Sequence, residues 1–141
     1  MPRGWVGVGM MSVLVACSSS PTAPSVEPLR EFVLQVGHAA EVSGTGLVVQ
    51  FDRVLSDSRC PADAICIQAG DAEVAVIVTR GGRASETLSL RTDGALSRAE
   101  LGDWILTLTN LGPYPLSSRL TPPGDYKASF RVDPRAVPAG P

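Results

Sequence analysis

The sequence is poor in the side chains on which most chemistry depends. His38 is the only histidine, Lys127 is the only lysine among twelve basic residues, and aromatic residues make up 5% of the 141 positions. A single imidazole, with no Gly-x-Ser-x-Gly turn anywhere, leaves a nucleophile without an activating base. The chain is therefore expected not to be an enzyme, and no cofactor is implied. His38 follows Gly37 and reads as a surface turn residue. Zinc needs more nitrogen and sulfur ligands than His38 and two spare cysteines offer. No run of basic residues occurs and the formal net charge is −2, so nothing supports nucleic-acid binding. No apolar run approaches the roughly twenty residues of a membrane-crossing helix. Helix signals are nearly missing too. Ser97-Arg98-Ala99-Glu100 fits a capping box and predicts one turn before Gly102 stops it. There is no internal repeat.

What is present begins with an export signal. Arg3 is the one charged side chain before Val6 to Val15, a small, uncharged, apolar run, which is the pattern of a secretory signal peptide. Leu14-Val15-Ala16-Cys17 resembles the lipobox of bacterial lipoproteins. That resemblance implies cleavage before Cys17, a diacylglycerol on its sulfur and acylation of its new amine. Several acyl chains make a durable anchor where one binds only marginally. Ser18, standing where aspartate would favour the inner membrane, implies the outer membrane, facing the periplasm. The expected organisation is a signal peptide over 1–16, a lipidated cysteine and flexible tether over 17–29, one domain over 30–133 and a disordered tail over 134–141. Loss of Arg3 leaves 11 basic against 14 acidic residues, a formal charge of −3.

The dominant hydrophobic period is two, the period of strands. Phe32, Leu34 and Val36 alternate with polar neighbours, and Ala40 and Val42 continue after a turn. Leu47, Val49, Phe51 and Leu55 are expected to share one face. Val74, Val76 and Val78 form the next set, and Gly81-Gly82 marks a hairpin. Leu88 with Leu90, then Trp104, Leu106 and Leu108, and finally Tyr126, Ala128, Phe130 and Val132 complete the pattern. About seven short strands in about a hundred residues predict an all-β, antiparallel sandwich of immunoglobulin-like type. Tyr126, after Gly124-Asp125, could then act as a tyrosine corner, its hydroxyl bonding nearby backbone.

Ser56 to Gly70 interrupts the alternation. With Cys17 committed to lipid, Cys60 and Cys66 are expected to form a disulfide in an oxidising compartment. Asp57 and Asp63 flank and occupy this loop, and with backbone carbonyls they are candidate calcium ligands, although EF-hand spacing is lacking. A redox-active disulfide is a further alternative, against which stands the missing Cys-x-x-Cys spacing. A second long loop, Gly112 to Gly124, carries four prolines around Tyr114 and Arg119. An aromatic and an arginine on a stiff loop suit partner recognition; a rigid cross-over is the plainer alternative.

Asp57-Ser58-Arg59-Cys60-Pro61, Cys66, and Ala69-Gly70 resemble a pattern of small uncharacterised bacterial exported proteins and lipoproteins. Leu111-Gly112-Pro113-Tyr114-Pro115 and Asp125-Tyr126 are similar to that group as well. The resemblance spans Phe51 to Val132 and supports the architecture and the disulfide; it implies no activity. The expected function is a membrane-tethered, non-enzymatic module that binds a protein or another component of the envelope. A purely structural or accessory lipoprotein is the alternative.

Overall fold

The computed structural model describes residues 22–136, with Gly4 alone before them. The signal peptide expected over 1–16 and the lipid attachment expected at Cys17 lie outside the described residues. So does most of the expected tail.

Among the described residues nine strands form: β1 (Ser25–Val26), β2 (Glu31–Gln35), β3 (Ala39–Val42), β4 (Leu47–Asp57), β5 (Ala72–Arg80), β6 (Glu86–Arg91), β7 (Arg98–Leu101), β8 (Trp104–Gly112) and β9 (Lys127–Pro134). They make two sheets, ordered β1-β3-β4-β5-β6 and β2-β9-β8-β7. All pairings are antiparallel except that of β1 with β3. This is the all-β sandwich that the period-two pattern predicts. Among the described residues, no helix is long and apolar enough to cross a membrane.

The alternating apolar positions become one core between the sheets. Phe51 and Val49 from one sheet meet Phe130 and Leu106 from the other, all fully buried. Phe130 sits at the centre, its ring 6.1 Å from those of both Phe32 and Phe51, edge-on to the latter. Along β9 and the residue before it the predicted face is complete: Tyr126, Ala128, Phe130 and Val132 are all buried.

Three local expectations are corrected. Leu55 does not share the face of Phe51; it is 46% exposed. Bulges between Phe51 and Arg53 and between Val54 and Ser56 shift the register against β5, and each inserted residue turns the following side chains over. Val54 packs against the core instead. The helical turn predicted from Ser97 to Glu100 is also displaced. A 3-10 turn covers Gly94–Ser97 and the chain then extends as β7. Ser97 Oγ donates back to the Gly94 carbonyl at 2.6 Å, and pairing β7 with β8 buries Leu101, which one helical turn would not do. Finally, two residues of the expected tether, Ser25 and Val26, add β1 to a sheet edge, with Val26 packed on the core.

The sandwich has two unlike ends. At one, the connections are tight. Gly81 and Gly82 have φ of +51° and +71°, and Arg83 N–H donates to the Arg80 carbonyl at 2.9 Å. Both centres of this β-turn have positive φ, which glycine adopts without a steric penalty; the whole β5–β6 connection is residues 81–85, longer than the two-residue hairpin that the glycine pair predicts. At the other end lie the two long loops, residues 58–71 and 113–126, together with the β2–β3 turn around Gly37. The register places them together: Asp57 stands opposite Ala72 in one sheet, while Gln35, Lys127 and Gly112 share a level in the other.

Candidate functional site

The long-loop end is assembled around one buried cation. Arg59 is 6% exposed, on the first loop just past β4. Its Nε donates to Asp57 Oδ1 at 2.8 Å and its Nη2 to Asp57 Oδ2 at 2.7 Å, a bidentate pair. The side chains of Arg59 and Asp57 are only 5% and 8% exposed. The fork then crosses to the second loop. Nη1 donates to the Leu111 carbonyl and Nη2 to the Pro113 carbonyl at 3.0 Å. The guanidinium carbon lies 4.6 Å from the centre of the Tyr114 ring, where the ring quadrupole attracts a cation. Arginine suits this place because its planar fork meets a carboxylate, two carbonyls and an aromatic face together.

Tyr126, the residue just before β9, closes the cluster, its hydroxyl donating to Asp57 Oδ2 at 3.1 Å. The expected tyrosine corner is thus corrected, because the hydroxyl reaches a carboxylate and not backbone. Burial pushes the Asp57 carboxyl up, but hydrogen bonds and charge from Arg59, with help from Tyr126, outweigh it and hold the pKa below the usual 3.8. Burial, then the neighbouring Asp57 carboxylate, raises the Tyr126 hydroxyl above its usual 10.0.

Further ties make the loops one body. Cys60 and Cys66 are disulfide-bonded, their Cα atoms 5.9 Å apart. Ala62 N–H donates to the Pro115 carbonyl at 2.9 Å. Asp63 accepts from the Ser117 amide at 2.8 Å and the Ser117 hydroxyl at 2.7 Å, and these bonds lower its pKa from 3.8. At the base, Ser58 N–H donates to the Asp71 carbonyl and Cys60 N–H to the Ala69 carbonyl, both at 2.8 Å. Gly70 makes that approach possible. Its φ is +64°, and a Cβ there would stand 1.9 Å from the Ser58 carbonyl oxygen. The Asp57-Ser58-Arg59-Cys60 and Ala69-Gly70 pieces of the sequence pattern are thus one device, in which the first piece supplies the ion pair and the second the closure.

Comparisons with protein-family models, with curated proteins and with solved structures found no match.

The candidate residues therefore separate by direction. Asp57 points inward and is committed to Arg59. Asp63 is exposed at the rim and committed to Ser117, so the two carboxylates do not converge. No group of three or more His, Cys, Asp or Glu among the described residues is placed to hold a metal. Tyr114 is 55% exposed, one face on Arg59 and the other free. Arg119 is exposed on the second loop, where its amide closes a small turn with the Leu116 carbonyl at 3.3 Å. His38 lies exposed in the β2–β3 turn, as expected.

Residues that the sequence pattern did not single out dominate the outer surface. Ile65 and Ile67 are fully exposed at 104% and 105%, and Leu120 is 93% exposed. Large aliphatic side chains at the tips of restrained loops, and not in the core, are the uncommon observation here. The available clue was chemical: two isoleucines flanking Cys66 interrupt an otherwise small and polar loop.

Proposed function

We propose that this chain is an exported, lipid-anchored protein of the bacterial envelope, without catalytic chemistry, whose long-loop end is a docking surface. The observation that carries the reading is the full exposure of Ile65, Ile67 and Leu120 on loops that are internally cross-tied. Burying each such side chain against an occupant is worth about 1.5–3 kcal/mol. Because the loops are already ordered, little further ordering entropy opposes that gain. The inward half of the sequence pattern, Asp57 with Arg59, has a structural role, and the outward half is the part available for recognition.

The test is a photo-crosslinking residue placed at Ile65 in cells, with the same residue at Arg83 as control. Arg83 is exposed in the β5–β6 connection, at the tight-turn end. An adduct at position 65 and none at 83 is expected. Equal labelling at both would remove the docking surface. Mass spectrometry of the N-terminal peptide of the same preparation reads the anchor, since any residue retained before Cys17 would overturn it.

A further inference from the structure

We infer that the occupant of the long-loop end is the bilayer surface itself: Ile65, Ile67 and Leu120 enter the lipid interface beside the Cys17 anchor, with Tyr114 and Arg119 at headgroup level. The inference rests on the lipid anchor proposed above and names what the docking surface meets.

The direction of the chain is the first argument. β1 runs parallel to β3, with Ser25 opposite Glu41 and Val26 opposite Val42. β3 itself leaves the β2–β3 turn, which belongs to the long-loop end. The chain must therefore reach β1 from that same end. Two observations agree. The Pro24 carbonyl accepts from Glu41 N–H at 2.9 Å, and residues 22–24 line a shallow cleft with Gly37, His38 and Ala39.

Length is the second. Thr22 stands five residues after Cys17, a reach of at most about 18 Å even when fully extended. The β2–β3 turn beside which that chain runs is bonded to the second long loop, Gln35 Nε2 donating to the Gly124 carbonyl at 2.9 Å and Val36 N–H to the Tyr126 carbonyl at 3.2 Å. An anchor at Cys17 is therefore held within that reach of the turn and of the loop bonded to it.

Chemistry is the third. From Pro61 to Gly70 the only charged side chain is Asp63, already engaged by Ser117, and from Pro113 to Gly124 the only one is Arg119. Asp93, Asp125 and Lys127 are exposed just outside these two stretches, and the opposite end carries exposed charges on Glu27, Arg30, Arg83, Asp103 and Arg135. The apolar tips stand clear of the rest of the molecule, and a fluid bilayer takes up such side chains without a surface shaped to match them. A tyrosine and an arginine behind aliphatic tips suit the headgroup layer, where amphipathic rings settle and arginine meets lipid phosphate.

The test uses the full lipidated protein in vesicles of phosphatidylethanolamine and phosphatidylglycerol. Ile65→Trp and, at the far end, Arg83→Trp are each compared with the parent, whose Trp104 sets the background. With lipids brominated on the acyl chains, Ile65→Trp is expected to emit to the blue and lose most of its added emission, while Arg83→Trp keeps its own. Equal, unquenched emission from both tryptophans on an anchored protein would overturn the inference. Unquenched emission together with a protein adduct at position 65 in cells would do so as well, yet leave the docking surface standing with a protein as occupant. A Cys17 peptide without diacylglycerol would overturn both readings together.

Discussion

Arg59 carries more of the long-loop end than any other side chain, and its burial makes the consequence of losing it calculable. Replacing it by methionine keeps much of the volume but leaves the Asp57 carboxylate buried without its cation. Breaking a buried pair from one side costs about 3–5 kcal/mol, whereas replacing both partners by apolar residues is often neutral. Arg59→Met is therefore expected to lower the urea midpoint by an amount in that range, and Asp57→Leu with Arg59→Met to recover most of it. If the double variant were as unstable as the single one, the cluster would owe its stability to the carbonyl and ring contacts and not to the ion pair.

At the scale of the element, the first loop shows how a segment without regular structure becomes rigid. The disulfide spans six positions, and closing so short a loop in the unfolded chain is worth only about 2–3 kcal/mol. The base of the loop is held separately, by the backbone bonds across Gly70 and by the Arg59 fork. Cys60→Ser with Cys66→Ser is accordingly expected to cost about 2–3 kcal/mol in thermal unfolding while the core still unfolds in one transition. Limited proteolysis should then cut between residues 60 and 66 while the strands stay intact. Cleavage spreading into β4 or β5 would show that the disulfide, and not the ion pair, holds the loop to the sandwich.

For the molecule as a whole, the buried cluster sets how stability responds to pH. The folded Asp57 carboxyl has a pKa below the unfolded value near 3.8. The native state therefore holds fewer protons in that range, and the stabilisation is fully present above 3.8 and lost as pH falls through the depressed folded value. Asp63 and Asp71 shift in the same direction, the first through Ser117 and the second through Arg91. Tyr126 works in the opposite sense. Its folded pKa lies above 10.0, so the unfolded hydroxyl ionises first and stability falls as pH rises past that value. Urea midpoints are expected to show a plateau through neutral pH with a decline on each side. Asp57→Asn should flatten the acid limb, and an unchanged acid limb in that variant would mean that other carboxylates control it.

The sequence by itself determined the all-β architecture, because alternation of apolar and polar side chains works position by position and needs no knowledge of the partner strand. Strands β2, β5 and β9 were legible in this way, as was the Gly81-Gly82 turn, whose conformation is local. The pairing of Cys60 with Cys66 was expected from their closeness in the sequence together with the proposed export, and the disulfide is present. Tertiary structure decided the rest. Bulges in β4 arise from pairing with β5, so the outward turn of Leu55 had no local cause to read. Arg59 looked like any surface arginine, since its burial depends on Leu111 and Pro113, more than fifty positions along the chain. The direction of Asp57 and the exposure of Ile65, Ile67 and Leu120 have the same origin. They are set by which loops the sheets bring to one end, and that is a property of long-range register, which no short stretch of sequence contains.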